Sequence, residues 1–187
     1  MKFTQRAARF ALRLSGWQLI DLPEVPKKAV VIGYPHTSNW DLLAVLSGLL
    51  AVGIRPRWVG KDTLFKGPMG PIMRWLGGVS VNRRERTGFV DRMREVFDQH
   101  DVFHMVIAPE GTRSRTEGWK SGFYRIALAA QVPLIAGVTD YQNKKLGFAA
   151  VIHLTGDEDY DMAQIAKAYE GQKGRYPQHA SPIKLLK

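Results

Sequence analysis

The sequence contains no cysteine. Disulfides, thiolate nucleophiles, cysteine-ligated zinc and iron–sulfur clusters are therefore all excluded. Long apolar runs are missing too. The longest, Leu42–Ile54, has thirteen residues, with Ser47, Gly48 and Gly53 among them. That falls short of the roughly 20 residues a spanning helix needs and reads instead as a buried helix. At the start of the chain Arg6, Arg9 and Arg13 interrupt what would be the apolar core of a secretory leader. We therefore expect a protein cytoplasmic in its bulk, without a transmembrane span. No Walker or GxGxxG glycine loop occurs. Acids are scarce, with 17 Asp plus Glu against 27 Lys plus Arg and a net charge of +10. Such a surface favours phosphate-bearing partners: nucleic acid, anionic lipid, a nucleotide cofactor or an acidic carrier protein.

What is present is a foldable chain of 187 residues, 45% of them apolar, a size that favours one domain over residues 1–187. Short β-branched runs bounded by proline or glycine predict strands over Lys28–Tyr34, Arg57–Gly60, Gly78–Asn82, Val102–Ala108, Val132–Thr139 and Phe148–Leu154. Helical spacing predicts helices over Trp40–Val52, Leu64–Leu76 (interrupted by Gly67, Pro68, Gly70 and Pro71), Arg86–His100, Lys120–Gln131 and Ala163–Tyr169. The tail from Glu170 reads as irregular. Alternation of short strands with helices predicts an α/β fold, a layered and mostly parallel or mixed sheet flanked by helices. Sites in such folds lie beyond the carboxyl ends of strands.

Residues 1–17 form a distinct arm. Lys2, Arg6, Arg9 and Arg13 recur at spacings of four, three and four, one narrow basic stripe on a helix. Phe3, Ala7, Phe10 and Leu14 make an apolar stripe beside it, and Trp17 follows; Leu12 falls on the polar side. This pattern suits an amphipathic helix lying on an anionic membrane surface.

Two strand-end loops carry chemistry. After Tyr34 the chain reads Pro35-His36-Thr37-Ser38-Asn39-Trp40-Asp41, with His36 five residues before Asp41. A histidine leaving a strand can fold back over the first turn of the next helix, where Asp41 would fix its tautomer and leave the other ring nitrogen to take a proton. Apart from Ser38 no side-chain nucleophile is evident, so the attacking group would be a substrate hydroxyl. After Ile107 the chain reads Ala108-Pro109-Glu110-Gly111-Thr112-Arg113-Ser114-Arg115. Gly111 permits close backbone approach, Thr112 and Ser114 offer hydroxyls, and Arg113 offers a planar fork for phosphate. Other signals are weaker. His100 and His104 are four apart but lack a third ligand, so no metal site is expected. Lys120 opens a helix. Arg83, Arg84 and Arg86 cluster without the stacking aromatics or helix-turn-helix of a nucleic-acid reader.

Together these blocks resemble the glycerophospholipid acyltransferase family, which includes the lysophosphatidic acid acyltransferases. The family's H-x4-D motif matches His36 and Asp41. Its F-P-E-G-T-R motif matches Pro109, Glu110, Gly111, Thr112 and Arg113, with Ala108 replacing the aromatic. Gly78–Arg83 resembles its second block, with Asn82 in place of Asp, and Val132–Val138 its fourth, without the second proline. Lys61 with Leu64 and Phe65 fits a lysine that often joins the phosphate site.

The resemblance implies an O-acyltransferase moving a fatty acyl group from an acyl thioester, acyl-CoA or acyl carrier protein, to a lysophospholipid-like acceptor such as 1-acylglycerol-3-phosphate. His36 and Asp41 would be catalytic, and Lys61, Arg83, Glu110, Gly111, Thr112 and Arg113 would bind substrate, with Glu110 and Gly111 shaping the glycerol site. A backbone amide near His36 would bind the oxyanion. No metal or other cofactor is implied, and no nucleic acid partner is expected; the arm would meet an anionic membrane. Another lysolipid, an aminolipid or a glycolipid is an alternative acceptor. A non-catalytic basic module on membrane or nucleic acid would explain the charge but not the motifs.

Overall fold

The predicted strands assemble into one sheet. The structure is a computed structural model that describes residues 3–20, 24–54, 57–81 and 88–186. Its elements in order are α1 (Phe3–Leu14), β1 (Gln18–Ile20), β2 (Lys28–Tyr34), α2 (Trp40–Val52), β3 (Arg57–Lys61), a 3-10 turn (Asp62–Phe65), α3 (Met69–Trp75), β4 (Gly78–Val81), α4 (Phe89–Asp98), β5 (Phe103–Ile107), α5 (Gly122–Ala129), β6 (Leu134–Asp140), β7 (Lys145–Ile152), α6 (Glu158–Ala168) and a 3-10 turn (Pro177–His179).

Seven strands pair in the order β1-β7-β6-β2-β5-β3-β4. The five from β6 to β4 run parallel, β7 is antiparallel to β6, and β1 runs parallel to β7. β2 lies between β6 and β5 with helices over both faces, which is why Ala29, Val30, Val31 and Ile32 form an unbroken apolar run, each no more than 1% exposed. Val30 and Ile32 join Phe97, Phe123, Ile126 and Ile165 in the core under α4, α5 and α6. Ala29 and Val31 join Leu46, Leu49, Trp58 and Phe65 under α2 and the first 3-10 turn.

Departures from the sequence reading have local causes. The Leu64–Leu76 segment is not one helix: a 3-10 turn ends at Phe65, Gly67 takes a positive φ, and α3 starts at Met69. α6 starts at Glu158, five residues before the predicted Ala163, because Asp157 accepts a hydrogen bond from the Tyr160 amide at 3.1 Å and three acids occupy the first turn. β1 is too short to show a periodicity.

α1 docks through the residue that the helical wheel placed on its polar side. Leu12 is buried with Ala51 and Leu146, and Arg9 Nε donates to the Ala51 carbonyl at 2.9 Å. Phe3, Phe10 and Leu14 are left 85%, 64% and 74% exposed, so the apolar stripe faces outward. Among the described residues no helix is long and apolar enough to cross a membrane.

Candidate active site

β2 and β5 are parallel neighbours with Ile32 opposite Ile107, and β6 flanks β2 on its other side with Val138 opposite Tyr34. The three carboxyl ends therefore deliver three loops to one edge of the sheet: residues 35–39 from β2, 108–121 from β5, and Tyr141 from β6. Chain connection leaves β5 and returns on the far side of β2, so the site stands where the winding direction reverses, the place where such sheets bind ligands.

Asp41, in the first turn of α2, is buried and holds the first loop together. Its Oδ2 accepts the amides of Thr37 at 2.7 Å and Ser38 at 2.8 Å, and lies 3.3 Å from His36 Nδ1. Oδ1 accepts the hydroxyls of Ser38 at 2.8 Å and Tyr141 at 2.9 Å. Burial alone would push the Asp41 carboxyl up, but the hydrogen bonds from His36, Ser38 and Tyr141 outweigh it and hold it below the usual carboxylate range. The carboxylate stays charged and turns Nδ1 of His36 toward itself, which leaves Nε2 facing away from Asp41. Ser38 spends its hydroxyl on Asp41 and is no nucleophile.

Glu110 behaves differently. It is fully buried, and its two oxygens accept the amides of His36 at 2.7 Å and Ser181 at 2.8 Å. Burial raises its carboxyl, and the two amides offset that only in part. It joins the His36 loop to the C-terminal tail and does not line the cavity. The amides of residues 36, 37 and 38 thus all point at carboxylates, so the oxyanion donor expected from an amide near His36 is not among these three.

Arg113 reaches across to Asn39, its guanidinium donating to the amide oxygen, which brings the β5 loop over the His36 loop. Gly111 turns the chain with φ at 65°, its amide bonded to the Ala108 carbonyl at 3.1 Å. A Cβ there would stand 3.1 Å from the Lys120 side chain. Thr112 is exposed, and its hydroxyl accepts the Ser114 amide at 3.3 Å. Lys61 ends β3 opposite Val81. The Lys61 side chain, and Arg83, Arg84 and Arg86 with the strand end at Asn82, lie outside the described residues. His100 and His104 do not converge: His100 Nδ1 meets the Val96 carbonyl at 2.8 Å, while buried His104 meets the Pro26 carbonyl at 2.7 Å.

A cavity of about 480 Å³ opens beside His36. His36, Asn39 and Arg113 form its polar end, and Leu42, Val45, Trp58, Leu64, Met69 and Met73 its apolar body. A narrow apolar slot lined by Gly33, Gly48, Gly137 and Gly147 adjoins it, sharing Gly33, Val45 and Val106. A polar end holding an imidazole and a guanidinium beside an apolar body suits an amphiphile with a charged head.

A model of the family described as "Acyltransferase" matches residues 18–139, more than half of the chain. The chain belongs to the acyltransferase family. The "Probable 1-acyl-sn-glycerol-3-phosphate acyltransferase" of Mycoplasma pneumoniae is 29% identical over 125 residues, covering 63% of this chain. The chain spans 46% of the length of that curated relative. In fold it is similar to the crystal structure of the 1-acyl-sn-glycerophosphate acyltransferase PlsC from Thermotoga maritima, with a TM-score of 0.60, 18% identity, and coverage of 92% of this chain and 79% of that one.

Several residues of this candidate site were not read from the sequence. Tyr141 arrives from the end of β6, and Trp17 packs edge-on against it at 5.2 Å. Ser181, Tyr176 and Arg175 arrive from the tail. The Tyr176 amide bonds Thr37 Oγ1 at 3.2 Å, and Tyr34 OH donates to the Ser181 carbonyl at 3.0 Å. Arg175 places its guanidinium 5.8–6.0 Å from the rings of Trp40, Tyr141 and Tyr176. The tail lacks regular structure except one 3-10 turn, as expected, yet it forms a wall of the site.

Proposed function

We propose that this protein transfers a fatty acyl group from an acyl thioester to the free hydroxyl of a lysophospholipid, with 1-acylglycerol-3-phosphate the acceptor that suits the site best. The single observation carrying this reading is the placement of His36, backed by ionised Asp41, beside Arg113 at the polar end of an apolar cavity.

In the proposed reaction His36 Nε2 takes the acceptor's hydroxyl proton as that oxygen attacks the thioester carbon. Asp41 keeps the ring oriented and stabilises the imidazolium. The tetrahedral intermediate collapses with cleavage of the C–S bond, and the imidazolium returns its proton to the departing thiolate. The products are a diacylated lipid and a free thiol, so atoms, charge and protons balance. Base assistance of this kind is worth on the order of 10²–10⁴ in rate, and holding both substrates in one cleft contributes further through orientation.

Arg113 clamps the acceptor phosphate, and Lys61 and Arg83 serve as further cations for substrate phosphates. Gly111 and Thr112 shape the loop that carries Arg113. Glu110 acts indirectly, fixing the His36 loop against the tail. The acyl chain of one substrate occupies the apolar cavity. The donor is acyl-CoA or acyl carrier protein, either of which suits the net charge of +10.

The outward stripe of α1, together with Met69, Ile72 and Trp75 on α3 and with Leu64, supports peripheral binding to an anionic membrane. Leu64 and Met69 also line the cavity, so it meets this exposed apolar surface on one side, where a lysolipid would enter.

The test is thiol release from acyl-CoA or acyl carrier protein against a panel of lysolipids. Release that depends on lysophosphatidic acid supports the proposal. Salt-sensitive binding to vesicles or polyanions with no acyl transfer to any acceptor would overturn it.

A further inference from the structure

Next to the apolar cavity, at Arg113 and Asn39, lies a second, polar pocket of about 290 Å³. Arg113 and Asn39 line both spaces, so the two adjoin at these side chains. Thr37 and Ser38 supply the inner wall; Tyr176 and His179, from the C-terminal tail, supply the outer one. These tail residues lie beyond the 18–139 segment that the family model covers.

The chemistry of this lining is one-sided. It brings together a guanidinium, an imidazole, hydroxyls and an amide, and no carboxylate is among its described lining residues. The rings of Tyr176 and His179 lie 5.7 Å apart, tilted at 45°, and Arg175 stands 5.9 and 5.8 Å from the Tyr176 and Trp40 rings, adding positive charge without lining the pocket. The tail is not draped there loosely. The Tyr176 amide is bonded to Thr37, Arg115 donates to the Ala180 carbonyl at 3.2 Å, and the Ser181 amide is held by buried Glu110. His179 is therefore presented from a fixed backbone on both sides.

We infer that this pocket is a phosphomonoester subsite in which His179 and Tyr176 of the tail join Arg113 in receiving the phosphate of the acceptor. The inference rests on the acyl-transfer reading and sharpens it, since it names tail residues that select a phosphorylated acceptor. Proximity decides between the two phosphate-bearing substrates. In 1-acylglycerol-3-phosphate a single methylene group separates the reacting carbinol from the phosphate ester, so the phosphate must sit next to His36. Donor phosphates stand a whole pantetheine arm away from the thioester. A pocket that shares Asn39 and Arg113 with the His36 cavity matches the first geometry.

The experiment compares wild type with His179→Ala and His179→Gln in steady-state acyl transfer. The acceptors are lysophosphatidic acid and 1-acylglycerol, which lacks the phosphate. His179→Ala is expected to raise KM for lysophosphatidic acid about tenfold, the size of losing one hydrogen bond to a charged group. Its kcat should stay within about twofold, with KM for acyl-CoA and the rate on 1-acylglycerol unchanged. His179→Gln, which keeps a donor, should recover part of the loss.

A second measurement does not depend on turnover. Glycerol 3-phosphate titrated into the wild-type protein should shift the His179 ring proton in NMR saturably, and glycerol should not. An unchanged lysophosphatidic acid KM together with a silent His179 signal overturns the subsite. A rise in the acyl-CoA KM instead assigns the pocket to the donor and overturns the acceptor assignment. If wild type transfers no acyl group yet His179 still responds to glycerol 3-phosphate, the acyl-transfer reading fails while the phosphate subsite stands.

Discussion

Tyr141 donates its hydroxyl proton to Asp41 Oδ1 at 2.9 Å, while His36 Nδ1 lies against the other oxygen, Oδ2. The two partners hold the carboxylate from both ends. Burial, and then the charge of Asp41, push the Tyr141 phenol up to about 12, so it remains a donor throughout the working range. Tyr141 is thereby placed to act through Asp41 on the ring of His36.

Tyr141→Phe removes that hydroxyl and keeps the ring that packs against Trp17. The expected result is a fall in kcat of about tenfold with both KM values unchanged, and a stability loss of about 1 kcal/mol. Steady-state kinetics and urea unfolding on the same preparation check it. A wild-type kcat would show that Asp41 is oriented without Tyr141.

The His36–Asp41 pair was legible because both residues belong to one loop and one helical turn, so their spacing alone brings them together. The Glu110–Arg113 loop was legible as a strand end, and the parallel pairing of β2 with β5 carries it to His36. Tyr141 and His179 were not legible. Tyr141 is 100 positions from Asp41, and sheet order, which places β6 beside β2, brings it in. The tail follows the last helix without periodicity, so nothing in its composition showed that it returns to the site. Glu110 was read as facing glycerol, whereas its burial and two amide partners make it a brace between loop and tail. The Leu12 outcome has the same character: a helical wheel gives two faces, and only the neighbouring Ala51 and Leu146 decide which one docks.

Replacing Phe3, Phe10 and Leu14 together by serine leaves the packed face of α1 intact, since all three side chains point outward. Sedimentation with vesicles of anionic phospholipid should show binding weakened by at least about three orders of magnitude, on the scale of 1.5–3 kcal/mol for each of three apolar side chains withdrawn from lipid. Thermal unfolding should be unchanged. Equal binding by the triple variant would remove α1 as the membrane contact.

Gly33 faces the cavity, and a Cβ built on it meets no atom within 4 Å. Gly33→Val is therefore expected to fold normally and to occupy space that an acyl chain would use. The ratio of kcat/KM for long over short acyl chains should drop about tenfold, the worth of roughly two buried methylenes. An unchanged ratio would place the chain elsewhere.

His104 is kept neutral by burial, which lowers its pKa despite the bond to the Pro26 carbonyl. The unfolded chain takes up a proton at the ordinary histidine value and the folded chain only at lower pH. Stability is then complete above the ordinary value and declines as pH falls through it. His104→Gln keeps a donor for Pro26 and cannot titrate. Its urea midpoint should change less between pH 7.5 and 5.5 than that of wild type; parallel changes would show that His104 does not govern this window.

Single-turnover acyl transfer by His36→Ala asks whether the His36 ring removes the acceptor's proton. With circular dichroism and cooperative unfolding retained, the rate on lysophosphatidic acid is expected to fall by at least about 10²-fold, the smaller end of general-base assistance. A rate within about threefold of wild type would contradict it.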